Sequence, residues 1–256
     1  MKVVILAGGL GTRISEETGD KPKPMVTIGE YPIIWHIMKI YSYYGFNEFI
    51  ICCGYKKNVI KSFFENFANS ENQHKIWDDI DLEVNINIDK WKVRLVDTGL
   101  NTMTGGRLKN IKKYIKNDDY FFLTYGDGVA NINIMDQLIY HKKHKKLATI
   151  AAVHPPSRFG ALEIANNNIV SSFKEKVEGE NSWINGGFFI LSPKTIESIM
   201  CDDTVWESEP LEELANSNEL IAYKHNGFWQ PMDTLREKKN LEKLWNNNSA
   251  PWKVWK

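Results

Sequence analysis

Three cysteines in 256 residues are too few for a disulfide framework. Two of them, Cys52 and Cys53, are adjacent, which fits no Cys-x-x-Cys metal pattern. They read as small buried thiols in a reducing compartment. Long apolar runs are also missing: none approaches the ~18 residues of a membrane-spanning helix. The opening "MKVVILAGG" meets glycine too early to be a signal peptide, so a cytoplasmic protein is expected. There is no excess of either charge, with Lys plus Arg and Asp plus Glu at 32 each. No overall field attracts nucleic acid or an anionic membrane, and any anionic ligand must be met by local charges. Internal repeats and long low-complexity tracts are absent as well.

What is present is a strand and helix rhythm. "KVVILAG" is a short β-branched run closed by glycine, as a buried strand is. "PIIWHIMKIYSYYG" begins with Pro32 at a first-turn position, carries apolar residues at helical spacing and stops at Gly45. "EFIICCG" and "KNVIKSFFENF" repeat the pair. "LEVNINI" and "KVRLVDTG" are strands, "RLKNIKKYI" a helix, and "YFFLTYGDG" a strand ending in an acidic turn. A helix over 132–145 and the strand "LATIAAVHP" follow. Beyond Pro156 the strands "GALEI", "NIVSSFKEK" and "INGGFFILSP" succeed one another without a long helix, which predicts an antiparallel insertion beside the sheet. Helices near 193–200 and 208–216, the strand "LIAYKH" and a helix over 234–245 complete the chain. The pattern predicts an α/β fold: a Rossmann-like, mostly parallel mixed sheet flanked by helices, with a small antiparallel insertion.

In such sheets ligands sit at the carboxyl ends of strands, near a switch in strand order. The first strand leads there into "LAGGLGTR". Gly8, Gly9 and Gly11 let backbone amides face a ligand, an anion nest for phosphates, and Arg13 adds a planar donor. The alternative is a plain turn. The P-loop pattern is absent, and the dinucleotide fingerprint lacks its third glycine, because Ile14 stands there. Ten residues on, "KPKPM" uses two prolines to hold Lys21 and Lys23 in fixed places, either as a phosphate clamp or as a solvated loop.

G-G-x-G-T-R followed by K-P-K-P-M is far more specific than either part, and here the chain resembles the sugar nucleotidyltransferases. The resemblance runs on through "LVDTG", "MTGGRLK", "TYGDGVA", "RFGALEI", "INGGFF", "EPLEELA" and "FWQPMDTLREK". It implies one nucleotidyltransferase domain over 1–256, with a nucleotide-binding half to about 155 and a sugar-phosphate-binding half and tail over about 156–256. It implies transfer of a nucleotidyl group from CTP to a sugar 1-phosphate, with Mg2+ as cofactor and a homo-oligomeric assembly. The nucleotide set carried over is Leu6, Ala7, Gly8, Gly9, Gly11, Thr12, Arg13, Lys23, Thr102, Arg107 and Gly126, with Arg13 and Lys23 as the catalytic cations.

Asp127 stands between two glycines at a strand end, where a carboxylate either shapes a turn or approaches a hard cation. Asp233 in "WQPMDT" can cap the last helix and can supply the second carboxylate, two roles that need not exclude each other. The resemblance implies that both bind magnesium. In "LNTMTGGRLK", Gly105 and Gly106 let the backbone approach a flat ligand or form a helix-start turn, with Arg107 beginning the helix. By resemblance this loop holds the cytidine nucleotide. For the acceptor the matching residues are Gly160, Glu175, Lys176 and Asn185. Val177 departs from the family, which commonly has proline there, and leaves the position of Lys176 open.

Two rival readings remain: the same chemistry on another phosphorylated acceptor, and a catalytically inactive nucleotide-sugar-binding regulator. "HKKHKK" at 141–146 reads as the solvated cationic end of a helix. The tryptophans at 245, 252 and 255 read as pins for the C-terminal tail or an interface.

Overall fold

The computed structural model describes residues 1–11, 14–69, 75–77, 81–86, 90–155, 161–164, 170–174 and 183–256. The chain opens with β1 (Lys2–Leu6), α1 (Ser15–Thr18), the short antiparallel pair β2 (Thr27–Ile28) and β3 (Tyr31–Pro32), α2 (Ile33–Tyr43), β4 (Glu48–Cys53) and α3 (Lys57–Asn69). Then come β5 (Lys75–Trp77), β6 (Asp81–Ile86), β7 (Trp91–Asp97), α4 (Thr104–Asn110), α5 (Lys112–Ile115), β8 (Phe121–Tyr125), β9 (Gly128–Ala130), α6 (Ile134–His144) and β10 (Ala148–Val153). The last part holds β11 (Ala161–Ile164), β12 (Val170–Lys174), β13 (Ile184–Asn185), β14 (Phe189–Leu191), α7 (Glu209–Asn216), β15 (Leu220–His225), β16 (Trp229–Pro231) and α8 (Leu235–Asn246).

The main sheet runs β13-β10-β14-β8-β1-β4-β7-β6-β5, with β15 also pairing β10. β1 is parallel to both β4 and β8, and β4 is parallel to β7. The chain therefore builds outward from β1 on one side and returns to lay β8 on the other. That reversal lies at the carboxyl ends of β1 and β8, where α/β sheets bind ligands.

Alternation along β1 serves two cores. Val3 and Ile5 face one side with Phe49, Ile51 and Phe122, under α2, α6 and the C-terminal tail. Val4 and Leu6 face the other with Ile50, Cys52, Phe121 and Leu123, under α4, α5 and α7. Burial on both faces is why these strands read as unbroken apolar runs. The tail is held by tryptophans: Trp252 is fully buried, and Trp245 and Trp255 pack around His36 of α2.

Several elements differ from the sequence reading. The antiparallel part is divided: among the described residues β11 and β12 pair only with each other, whereas β13 and β14 join the main sheet antiparallel to β10. β14 also pairs antiparallel with β8. The expected helix near 193–200 is a single 3-10 turn at Pro193–Ile196. "RLKNIKKYI" is two helices, α4 and α5, because i→i−3 bonds around Ile111 tighten the chain and let Leu108, Ile111 and Ile115 all enter one core. The 141–146 run is not wholly solvated. His141 is buried, with Nδ1 2.7 Å from Thr149 Oγ1. Cys52 and Cys53 are buried, and burial pushes the Cys52 thiol up to about 12, but Cys201 is exposed.

Candidate active site

A cavity of about 540 Å³ opens where β1 and β8 end. Its walls include Leu6, Ala7, Gly8, Gly9, Gly11, Lys23, Thr102, Arg107, Gly126 and Asp127, so every described member of the expected nucleotide set lies on it. Thr12 and Arg13 lie outside the described residues, as do Gly160, Glu175, Lys176 and Val177.

The glycines have separate structural reasons. A Cβ at Gly9 would meet nothing within 4 Å, so that position opens on space. Gly11 has φ +67°, which favours glycine. A Cβ at Gly126 would lie 2.8 Å from the Leu6 carbonyl oxygen and 2.9 Å from Pro24 Cγ, so only glycine lets the acidic turn close on β1 and the lysine-proline segment. The Gly126 N–H then donates to the Leu6 carbonyl at 2.9 Å.

Lys23 opens a 3-10 turn, Lys23–Met25, entered through extended Pro22. Although a lysine, it is only 8% exposed. Its ammonium donates to Asp127 Oδ2 at 2.7 Å and to Asp233 Oδ1. Burial lowers the pKa of such an amine, yet the two carboxylates outweigh it and hold Lys23 above its ordinary value. Lys21 is half-exposed, so only one of the two lysines turns inward.

The distant carboxylates meet because β16 pairs antiparallel with β9, Pro231 opposite Gly128, and the Met232 N–H donates to the Asp127 carbonyl at 2.8 Å. Asp233 does not cap the last helix. Thr234 does, in a capping box with Glu237, which also accepts from the Asp233 N–H at 2.8 Å. Relieved of capping, the Asp233 side chain faces Lys23.

The two carboxylates converge on one point, already filled by a cationic nitrogen, so the pair fits a cation. No group of three or more His, Cys, Asp or Glu assembles among the described residues. Two carboxylates suit a hard ion that keeps water and takes its other oxygens from phosphates, as magnesium does.

Arg107 is 4% exposed. Nη1 donates to the carbonyls of Cys53 at 3.1 Å and Gly99 at 2.8 Å and to Thr98 Oγ1 at 2.7 Å. Nη2 donates to the Gly8 carbonyl at 3.0 Å and that of Leu100 at 3.4 Å. The guanidinium thus ties the glycine loop to the ends of β4 and β7 while bordering the cavity. The two glycines before it come close to another segment of the chain. They lie in the first turn of α4, and the Gly105 and Gly106 N–H groups donate to the Thr204 carbonyl at 2.9 and 3.2 Å. A Cβ at Gly106 would sit 2.3 Å from the Asp202 oxygen, so the close neighbour is the chain's own segment 202–204.

Three residues outside the expected set, Tyr125, Thr104 and Glu207, build a second wall. The Tyr125 hydroxyl donates to Glu207 Oε1 at 2.6 Å and accepts from Asn185 Nδ2 at 3.1 Å. Thr104 Oγ1 donates to Glu207 Oε2 at 2.6 Å. Tyr125, Thr104 and Glu207 line the cavity, and Asn185 joins it through Tyr125. Tyr125 was findable as the last strand residue before Gly126, whereas no spacing signals Glu207.

A nucleotide-sized cavity at a strand-order reversal, with a glycine loop, an inward lysine and paired carboxylates, is the architecture of a phosphate-handling α/β enzyme. The nucleotidyl transferase family model matches residues 2–230, and the chain belongs to that family. It is 53% identical to a glucose-1-phosphate cytidylyltransferase of Salmonella typhimurium over the full length of both chains. It is 44% identical, again over both full lengths, to a Bacillus subtilis relative named "Probable glucose-1-phosphate cytidylyltransferase". The crystal structure of HddC from Yersinia pseudotuberculosis superposes with a TM-score of 0.69 at 26% identity, covering 95% of this chain and 99% of that one.

Proposed function

We propose that this chain transfers a cytidylyl group from CTP to glucose 1-phosphate, giving CDP-glucose and pyrophosphate. The observation that carries the proposal is the Lys23 ammonium set between Asp127 and Asp233 at a glycine-lined cavity. The acceptor and base come from the full-length likeness to the Salmonella enzyme.

A phosphate oxygen of the sugar 1-phosphate attacks the α-phosphorus in line; its P–O bond forms as the bond to pyrophosphate breaks. The attacking oxygen is already anionic near neutral pH, so no protein nucleophile or base is required. The protein's task is to bring two polyanions together, which makes positioning and charge neutralisation the main contributions. The amides of the loop at Gly8, Gly9 and Gly11, with the open space beside Gly9, receive the triphosphate. Arg13 orients its tail, and Lys23 stabilises charge near the transferred phosphoryl group. Thr102 and Arg107 border the nucleoside. Asp127 and Asp233 hold magnesium, which when bound neutralises charge on the phosphates.

On the acceptor side the reading places Asn185, Glu175, Lys176 and Gly160 in one half of a single domain, with residues to about 155 forming the donor half. It includes a cytoplasmic location and a homo-oligomer. Among the described residues no helix is long and apolar enough to cross a membrane.

The test is pyrophosphate release by purified protein given CTP, Mg2+ and a panel of phosphorylated acceptors. Glucose 1-phosphate should be turned over most efficiently. Preference for another acceptor would move the assignment within the family, and nucleotide-sugar binding without turnover would make the chain a regulator.

A further inference from the structure

Lys23 does more than border the cavity. Its ammonium lies where Asp127 and Asp233 converge, 2.7 Å from Asp127 Oδ2 and bonded to Asp233 Oδ1. The side chains are about one-tenth, one-third and one-sixth exposed respectively, so solvent screens this cluster only in part. Two carboxylates aimed at one point repel each other unless a cation lies between them. A magnesium ion would sit ~2.1 Å from the same oxygens. An ammonium and a divalent ion cannot share that place, and their like charges add to the exclusion.

The geometry points to Lys23 as the stand-in cation of the metal site. In the empty protein it keeps the two carboxylates converged and excludes free divalent ions. It gives way when a triphosphate brings its own ion and offers the ammonium a new anionic partner. The metal therefore enters with the nucleotide and not ahead of it.

The local structure suits such an exchange. The backbone of Lys23 is fixed, because it opens the 3-10 turn and its carbonyl accepts from the Val26 N–H at 3.0 Å. Only the outer part of the side chain has to move, and it borders the open cavity. One lysine then has two partners in sequence: the carboxylates before substrate arrives, and phosphate afterwards. The inference rests on the reading of Asp127 and Asp233 as metal ligands.

The test is direct binding of Mn2+ to nucleotide-free protein, by electron paramagnetic resonance or calorimetry, in the parent and in Lys23→Met. The variant should bind Mn2+ alone at least 10-fold more tightly. The parent should approach the variant's affinity once a non-hydrolysable CTP analogue is present. Equal Mn2+ affinity of the two free proteins, or weaker binding by the variant, overturns the inference while leaving the metal site intact. If neither protein binds Mn2+ with or without the analogue, the metal reading fails and this inference with it. Lys23→Gln, of similar length and uncharged, repeats the measurement should the methionine variant not fold. Asp127→Asn in the Lys23→Met background should abolish the gain.

Discussion

Arg107 Nη2 donates to the Gly8 carbonyl at 3.0 Å across 99 residues of sequence, and the absence of a side chain at position 8 makes this possible. A Cβ on Gly8 would lie 2.1 Å from Arg107 Nη1, and one on Gly54 2.5 Å from it. The donor loop and the Arg107 side chain are thus one packed unit.

Arg107→Met should therefore loosen the glycine loop and leave buried carbonyls without donors. Each such loss costs about 1–3 kcal/mol. The expected outcome is a lower melting temperature and a KM for CTP raised at least ~10-fold, about 1.4 kcal/mol, with a smaller change in the acceptor KM. Gly8→Ala should act similarly through the same contact, so the double variant should lose less than the sum of the two. Calorimetric melting and two-substrate kinetics on the four proteins measure this coupling.

Asp233 and Thr234 are neighbours with separable roles. Thr234→Ala removes the cap of α8 and should lower stability by about 1 kcal/mol while turnover stays near that of the parent. Asp233→Asn keeps the cap, and its turnover should fall by ~100-fold or more, the usual scale for losing a preorganised charge at phosphoryl chemistry. Asp127→Asn should match it. Thermal melts and pyrophosphate release on the three variants decide, and a normal rate in either aspartate variant would remove that carboxylate from the site.

The sheet was largely legible because burial on both faces writes itself as apolar runs such as Val3–Val4–Ile5–Leu6. The donor loop was legible because its glycines lie close together in sequence. β13 and β14, of two and three residues, carried no signal of which sheet they would join, since pairing partners far along the chain decide it. Gly105 and Gly106 announced a close approach, but a glycine does not say what approaches. The partner proved to be segment 202–204. Asp233 looked like a cap because Asp and Thr both cap helices, and only the observed bonds assign the cap to Thr234.

Glu207 presents the other feature that sequence could not supply. Each of its oxygens accepts one hydroxyl, from Tyr125 and from Thr104, and it forms no ion pair among the described residues. A carboxylate beside a cavity for polyanions is suited to hydroxyl donors and not to phosphate. Burial and the neighbouring Glu207 push the Tyr125 phenol above its usual range, so it remains a donor. Tyr125→Phe would unlink Glu207 and Asn185, and about 1–2 kcal/mol of binding should be lost. The expected outcome is a KM for the sugar phosphate raised ~10-fold with the CTP KM changed less. Steady-state kinetics with each substrate varied in turn makes the comparison.

Stability toward acid turns on His36. It is fully buried beneath the C-terminal tail, with Nε2 3.0 Å from the Ile28 carbonyl and Nδ1 accepting from Trp252 Nε1 at 3.4 Å. That arrangement places the proton on Nε2 and leaves no room for a second. Burial accordingly lowers the pKa from 6.5 to about 4, despite the carbonyl bond that favours the charged ring. In the unfolded chain the imidazole titrates at its ordinary value, so between about pH 6.5 and 4 the unfolded state holds the extra proton. The stabilisation is complete above that window and is lost as pH falls through it, by up to about 1.4 kcal/mol per pH unit for one group. His141, also lowered to about 4 with burial as the main cause, adds in the same direction. Urea unfolding at a series of pH values should therefore show stability falling below pH 6.5. His36→Gln should start less stable at pH 7.5 yet fall less steeply, with a slope smaller by about one proton per molecule. An unchanged slope in that variant would show that His36 is not the group whose protonation lowers stability in this window.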